Sequence, residues 1–414
     1  MTLSLAASHA KGKFGLDKIM AASAAANKAI AQYGRENIIN ATIGAILDDN
    51  ENLVCLPTAE KVFRTLPITE VINYAPISGL PEYLEAAIDV TFAANRPDAY
   101  IKAIATSGGS GCIHHVVHNY SEIGDTVLTS DWHWGPYSVF CKDAMRKLET
   151  YELFDAEQKF NIRSFAEKVQ ALLAKQNSLI IILNTPAHNP TGYSLSDSEW
   201  DQVLDCLKEC AKDTAKRIVL VVDIAYLDFA GEKNEARAFM KKLGGLPPNL
   251  LTILAFSMSK GYTMYGQRTG AMIGVTSSQE VAKEFEDING YASRATWSSI
   301  NRGCQRLLVT IHKDKELEAQ LEQERNFYYR LIQERAAIFT REAKEVNLNM
   351  LPYIAGFFLT IPAKNPDAVC DKLHEDKVFA VPLGKGVRIA VCAVPSKKIT
   401  GLAAKVAKAM AAVD

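Results

Sequence analysis

Lys260 stands directly behind the apolar run LLTILAFS (250–257), inside the segment SMSKGYTMYGQR. An amine presented at a strand end, close to other cations, has a lowered pKa and forms Schiff bases with carbonyls. Asp223 ends another apolar run, RIVLVVD (217–223). A carboxylate leaving a buried strand costs free energy unless a cation pairs with it, and a protonated pyridine nitrogen is such a cation. Gly108-Gly109-Ser110-Gly111 follows AYIKAIAT (99–106) and precedes a helix pattern from Cys112. Small residues with free N–H groups at a helix start suit a phosphate. Arg268 and Ser257 can complete a phosphate cup with Gly109 and Ser110. The dinucleotide fingerprint G-x-G-x-x-G is absent, which disfavours a nicotinamide dehydrogenase.

The elements that must position these residues alternate. Strand-like runs occur at 99–106, 125–130, 178–184, 217–223, 250–257 and 269–275. SLIIILN (178–184) is apolar throughout, as in a sheet buried on both faces. Between the runs lie helix patterns: one after Ser78, one over 163–175, and one opened by Ser196 and Glu199 as a capping box. This alternation predicts a mostly parallel α/β sheet with covered faces. Four polar clusters fall at strand ends: 108–111, 184–192, 223–226 and 257–268. Ligands of open α/β sheets collect there. The ends of the chain differ. Patterns for an Ala-rich helix (14–33), a long charged helix (312–345), a strand (353–362), a helix (365–376), a strand pair (378–394) and a last helix (397–412) predict a smaller α+β domain. The expected division is a large domain over 52–310 and a small one from 1–51 and 311–414.

These residues resemble the class I pyridoxal-phosphate-dependent aminotransferases of the aspartate aminotransferase fold (fold type I). The resemblance runs in order through Asn40–Ala45, Tyr74–Leu80, the glycine loop, Trp134-Gly135, His188–Gly192, Asp223–Tyr226, Ser257–Lys260 with Arg268, and Arg388-Ile389. It implies a three-layer large domain with a seven-stranded sheet and pyridoxal 5'-phosphate as the cofactor. Lys260 then holds the cofactor aldehyde as an internal aldimine and shuttles the proton. Asp223 pairs with the ring nitrogen, Tyr226 and Asn189 bond the ring oxygen, and Trp134 stacks on the ring. Gly109, Ser110, Gly111, Ser257, Ser259 and Arg268 hold the phosphate. Tyr74 reaches the phosphate in a partner subunit, which implies a homodimer with shared sites. Arg388 binds the substrate α-carboxylate, Arg294 a distal carboxylate across the interface, and Gly44 lets backbone approach the substrate.

Amino acid and 2-oxo acid substrates follow from the same resemblance, the reaction being ping-pong through pyridoxamine phosphate. Three departures bear on substrate choice. Ile46-Leu47-Asp48 follows Gly44-Ala45 without the family's frequent tyrosine-arginine pair. Gly108 replaces the serine that commonly opens the phosphate loop, and Ser298-Ser299-Ile300 replaces Ser-Asn-Pro. A β-lyase or decarboxylase on the same scaffold is the alternative. A ligand sensor of this fold is less favoured, because such proteins usually carry a basic DNA-binding module.

Composition excludes other classes. The chain has 414 residues, 48% hydrophobic and 22% charged, with a net charge of −1. That is too apolar for disorder and too balanced to draw in nucleic acid or an anionic membrane. No run of about 20 apolar residues spans a bilayer. Eight cysteines without a CxxC pair predict reduced thiols and a cytoplasmic protein. MTLSLAASHA lacks the basic start of a signal peptide. His114 and His118 share a helix face but lack the HExxH glutamate, so no metal is expected.

Overall fold

The computed structural model describes residues 4–13, 15 and 17–413. Seven strands form the central sheet: β1 Tyr100–Thr106, β2 Thr126–Ser130, β3 Lys147–Tyr151, β4 Ser178–Asn184, β5 Arg217–Asp223, β6 Leu250–Ser257 and β7 Gly270–Thr276. Their spatial order is β1-β7-β6-β5-β4-β2-β3. Only β7 runs against its neighbours, β1 and β6; the other pairs are parallel.

The unbroken apolar runs have a direct cause. Ile104, Val127, Ile180, Val219 and Ile253 point to one face, where Ile113, Val116, Cys141 and Phe285 cover them. Ala105, Leu128, Ile181, Leu220 and Leu254 point to the other face, into the main core. Each Val, Leu or Ile side chain among them, fully withdrawn from water, contributes roughly 1.5–3 kcal/mol. Ser196 accepts from the Glu199 N–H and the Glu199 carboxylate bonds back, so the predicted capping box opens the helix Asp197–Cys210.

Both ends of the chain meet in a second assembly. Phe358–Pro362, Gly386–Ala390 and Val381–Pro382 make an antiparallel sheet, and Ile39–Asn40 pairs in parallel with Val378–Phe379. The Ala-rich helix runs Lys18–Tyr33, with the Asp17 carboxylate accepting from the Ile19 and Met20 N–H groups. Positions 14 and 16 of that pattern lie outside the described residues. No helix among the described residues is long and apolar enough to cross a membrane.

Several boundaries differ from expectation. The helix after β1 starts at Gly108 rather than Cys112, because the Gly111 N–H already donates to the Ser107 carbonyl at 3.1 Å. The pattern over 312–345 is two helices, Arg302–Lys313 and Lys315–Glu345, since the Asp314 carboxylate caps the second through the Glu316 and Leu317 N–H groups. The strand expected over 353–362 begins at Phe358. The Ile354 and Ala355 N–H groups donate instead to the Gly192 carbonyl, at 2.9 and 3.0 Å. The last helix pattern splits into Ser396–Ile399 and Leu402–Ala411 around Gly401, whose N–H donates to Glu342.

Candidate active site

The carboxyl ends of β4, β5 and β6 carry Asn184, Asp223 and Ser257 side by side in register, Asn184 opposite Asp223 and Asp223 opposite Ala255. Arg268 shortly precedes β7, which pairs with β6. Above these ends lies a cavity of about 180 Å³. Lys260 and Asp223 line it, together with Tyr226, Asn189, Trp134 and Arg268, and its floor is closed by Gly109, Ser110, Ser257 and Ser259. These ten residues, all of them expected from the sequence, are thus brought together.

Lys260 sits in the short helix Met258–Gly261 directly after β6, and the Ser257 hydroxyl caps that turn through the Ser259 N–H at 3.2 Å. Its Nζ lies 5.9 Å from the Tyr226 ring centre and 5.2 Å from that of Tyr265. Burial lowers its pKa to about 8; Arg268 and Arg388 push the same way, while Cys392 and Asp223 oppose them. A lysine with this pKa is partly neutral near pH 7 and therefore nucleophilic.

Asp223 is buried, and burial holds its pKa above the usual carboxylate value. Tyr137 donates its O–H to Asp223 Oδ2 at 2.7 Å, and the Ala225 N–H donates to Oδ1 at 3.1 Å. Asn189 Nδ2 donates to the Tyr226 hydroxyl at 3.3 Å, and the Asn189 N–H donates to Asn184 Oδ1 at 2.6 Å. This chain of bonds ties the 184–192 segment to the 223–226 segment.

The phosphate-cup candidates meet at one corner. Arg268 Nη1 donates to the Ser259 hydroxyl at 3.3 Å and to the Tyr265 carbonyl at 2.8 Å. A Cβ on Gly270 would lie 2.4 Å from the Phe256 carbonyl and 2.9 Å from Gly108, so glycine at 270 lets the 108–111 turn press against β6. The first N–H groups of the helix Gly108–Asn119 open at this corner.

Arg388 is 2% exposed. Its Nη2 donates to the Thr42 carbonyl at 3.0 Å and its Nη1 to Asn189 Oδ1 at 3.3 Å, while Nε has no partner. The guanidinium lies over the Phe358 ring at 4.2 Å, and burial lowers its pKa to about 10. Among the described residues neither Arg268 nor Arg388 pairs with a carboxylate. A buried arginine, Arg388, and a more exposed one, Arg268, both without carboxylate partners and beside a buried acid, fit a ligand carrying a carboxylate, a phosphate and a ring nitrogen. A Cβ on Gly44 would come within 3.0 Å of the same Phe358 ring, so this glycine also makes room for the platform beneath Arg388.

Three predicted residues stand apart. Gly111 packs against Trp297. Tyr74 is 86% exposed. Arg294, in the last turn of the helix Gln279–Thr296, donates to the Ser298 hydroxyl at 3.3 Å on the surface. His114 and His118 stack with ring centres 6.3 Å apart, away from the cavity, and no group of three metal-ligating side chains occurs among the described residues. Sequence patterns missed Tyr137 and Tyr265. Tyr265 lies within the quoted run SMSKGYTMYGQR, and its hydroxyl accepts the Ile46 N–H at 3.0 Å. Tyr137 carries no local mark beyond standing three residues after Trp134.

Residues 36–406 match the family model described as aminotransferase class I and II. The aromatic-amino-acid aminotransferase of Escherichia coli is 27% identical over 396 residues, 92% of this chain and 94% of that protein. A cytoplasmic aspartate aminotransferase of Dictyostelium discoideum is 26% identical over 289 residues, and that match spans 68% of this chain and 63% of the relative's length. The crystal structure of an aminotransferase from Anaerococcus prevotii superposes with a TM-score of 0.96 at 37% identity, covering 99% of this chain and all of that one.

Proposed function

The chain belongs to the aminotransferase class I and II family, and from that premise we propose that it moves an amino group from an amino acid of aspartate or aromatic type to a 2-oxo acid such as 2-oxoglutarate. Pyridoxal 5'-phosphate is the proposed cofactor, held in the strand-end cavity. The observation that carries this reading is the convergence of Lys260, Asp223 and Arg268 on one cavity, with Arg388 bonded to its wall through Asn189.

When bound, the cofactor supplies an aldehyde that condenses with amines and a ring that withdraws electrons from the substrate Cα. Lys260 is the residue to anchor it. Lys260 Nζ would be the base that takes the proton from the substrate Cα and the acid that returns one there with the second substrate. A pKa of about 8 suits both directions near neutral pH. Asp223 keeps the ring nitrogen protonated by offering a buried anion. Tyr226, fixed by Asn189, would bond the ring oxygen, and Trp134 would flank the ring. Gly109, Ser110, Ser257, Ser259 and Arg268 receive the phosphate. Arg388 takes the α-carboxylate through its planar fork, for which its lack of a carboxylate partner leaves room.

We read Tyr74 and Arg294 as parts of a site completed by a second copy. Their segments adjoin: the Ala75 N–H donates to the Ser299 hydroxyl at 3.2 Å, and Arg302 Nη1 donates to the Tyr74 carbonyl at 3.4 Å. Ile68, Ile72 and Tyr291 are exposed apolar residues of the same part of the chain. A homodimer sharing its sites would bury them. Mixing an inactive Tyr74 variant with an inactive Lys260 variant is expected to restore part of the activity; no recovery would count against shared sites. We further propose that residues 52–310 act as the large cofactor domain, with the segments before and after as the small one, in a cytoplasmic protein whose eight thiols stay reduced.

A half-reaction screen tests the function. Each amino acid is added to the cofactor-loaded protein, and conversion of the yellow form to the amine form of the cofactor is followed by absorbance. Conversion by aspartate, glutamate or an aromatic amino acid is the expected result, and no conversion by any amino acid would overturn the reading. In the same screen, Arg294→Ala should slow the dicarboxylic substrates about tenfold or more relative to aromatic ones, the size of one lost charge-assisted bond. Equal losses would remove Arg294 from the substrate site.

A further inference from the structure

We propose that Tyr137 is a positioning residue for the reaction: acting through Asp223, its hydroxyl keeps the shared proton on the ring nitrogen of the cofactor. The inference rests on the cofactor reading above. Tyr137 lies in the helix Pro136–Asp143 and is wholly buried. Its hydroxyl meets Asp223 Oδ2 at 2.7 Å, while Oδ1 takes the Ala225 N–H at 3.1 Å. Each carboxylate oxygen thus receives one donor from the protein.

The groups facing Asp223 come from four elements. Lys260 contributes a charge from the turn after β6, Cys112 a neutral thiol from the helix Gly108–Asn119, and Tyr226 a phenol from the segment after β5. Tyr137 is the one side chain among the described residues that donates a hydrogen bond to this carboxylate. It donates across the working pH range, because burial and the Asp223 anion push its own pKa far up. Neighbouring rings fix its orientation. It meets the Trp134 ring edge-on at 5.6 Å and stacks on the His133 ring at 6.4 Å.

A proton shared between a ring nitrogen and a buried carboxylate rests on the partner with the higher proton affinity. A hydrogen bond to the anion lowers the affinity of the carboxylate. Without the Tyr137 hydroxyl, Oδ2 has no protein donor, the carboxylate becomes more basic, and the proton moves from nitrogen to oxygen. The equilibrium should shift about tenfold to a hundredfold, the typical worth of a hydrogen bond to a charged group. A ring without its proton withdraws electrons less strongly, so kcat falls with it. The substrate-binding arginines are untouched, so KM should hold.

The test is Tyr137→Phe, which keeps the ring and its packing, loaded with pyridoxal phosphate isotope-labelled at the ring nitrogen. Nitrogen NMR is expected to show the resonance moving from the protonated towards the neutral position. The kcat should fall about tenfold or more with KM nearly unchanged. An unmoved resonance overturns the proposal whatever the activity does, because a purely structural role would lower activity without relocating the proton. If the phenylalanine variant does not fold, a fluorinated tyrosine at position 137 keeps the shape and donates more strongly. The ring-nitrogen signal should then move the opposite way, and an unmoved signal again overturns the proposal. If the unmodified protein shows no bound-ring resonance, the cofactor reading itself fails, which separates that failure from the failure of Tyr137.

Discussion

Lys260→Ala is expected to abolish the borohydride-reducible covalent link between the protein and its cofactor and to lower kcat by about a thousandfold or more. One amine must do two things, anchor the cofactor aldehyde and carry the substrate proton. General acid–base catalysis alone is worth about a hundredfold to ten-thousandfold. Alanine is smaller and apolar, so it leaves the Ser257 cap of the turn in place. The variant should fold, and it should still bind the cofactor through the Arg268 corner and Asp223. The lysine pKa adds a second readout. In the unmodified apo protein, capture of an aldehyde should speed up as the pH rises through about 8, where burial has placed the change from ammonium to amine. The alanine variant should lack this pH step. A Lys260→Ala protein that still holds the cofactor covalently after borohydride treatment would sink the assignment.

Much of the site was legible because its residues sit at the ends of apolar runs. Asp223 and Ser257 follow runs that form β5 and β6, and a run buried on both faces announces itself by composition alone. The edge strand β3 was not legible: KLETY is short and mostly polar, with no apolar run, and Lys147 and Glu149 are in contact with solvent. The helix Gln279–Thr296 is not legible either, since its small and polar last turns, NGYASRAT, blur the apolar stripe that Ala282, Phe285 and Ala292 draw. Tyr137 was invisible for a different reason. Its partner is 86 residues away, and a tyrosine in a helix gives no sign of which acid it will meet. Tyr74 and Arg294 were legible only through the family resemblance. Both are exposed in the single chain. Local pattern thus reports which strand end a residue occupies, while the second layer of contacts around Asp223 is a product of tertiary packing.

Asp223→Asn should separate stability from catalysis. Its folded pKa is raised by burial, so in the apo protein the carboxyl binds its proton more tightly than in the unfolded chain. Such a group contributes stability fully below the unfolded carboxylate pKa, and the contribution is lost as the pH rises through the folded value. At neutral pH the apo protein therefore carries an unfavourable buried anion, relieved in part by Tyr137, Ala225 and Lys260. Asparagine removes that charge while its amide oxygen still accepts the Ala225 N–H or the Tyr137 hydroxyl. The apo variant is expected to melt no lower than the parent at pH 7, and its melting temperature should depend less on pH across the acidic range up to neutrality. The loaded enzyme should respond in the opposite sense. A carboxamide cannot hold a protonated ring nitrogen, and about a thousandfold loss in kcat, roughly 4 kcal/mol on the barrier, is the expected scale. Thermal melting of the apo protein and single-turnover kinetics of the loaded protein check the two halves. Parallel losses in both would mean that Asp223 is a structural acid. A loss confined to turnover would leave it as the counter-ion, because a buried charge that is under-compensated in the apo state can be removed without cost to the fold and still at great cost to the reaction.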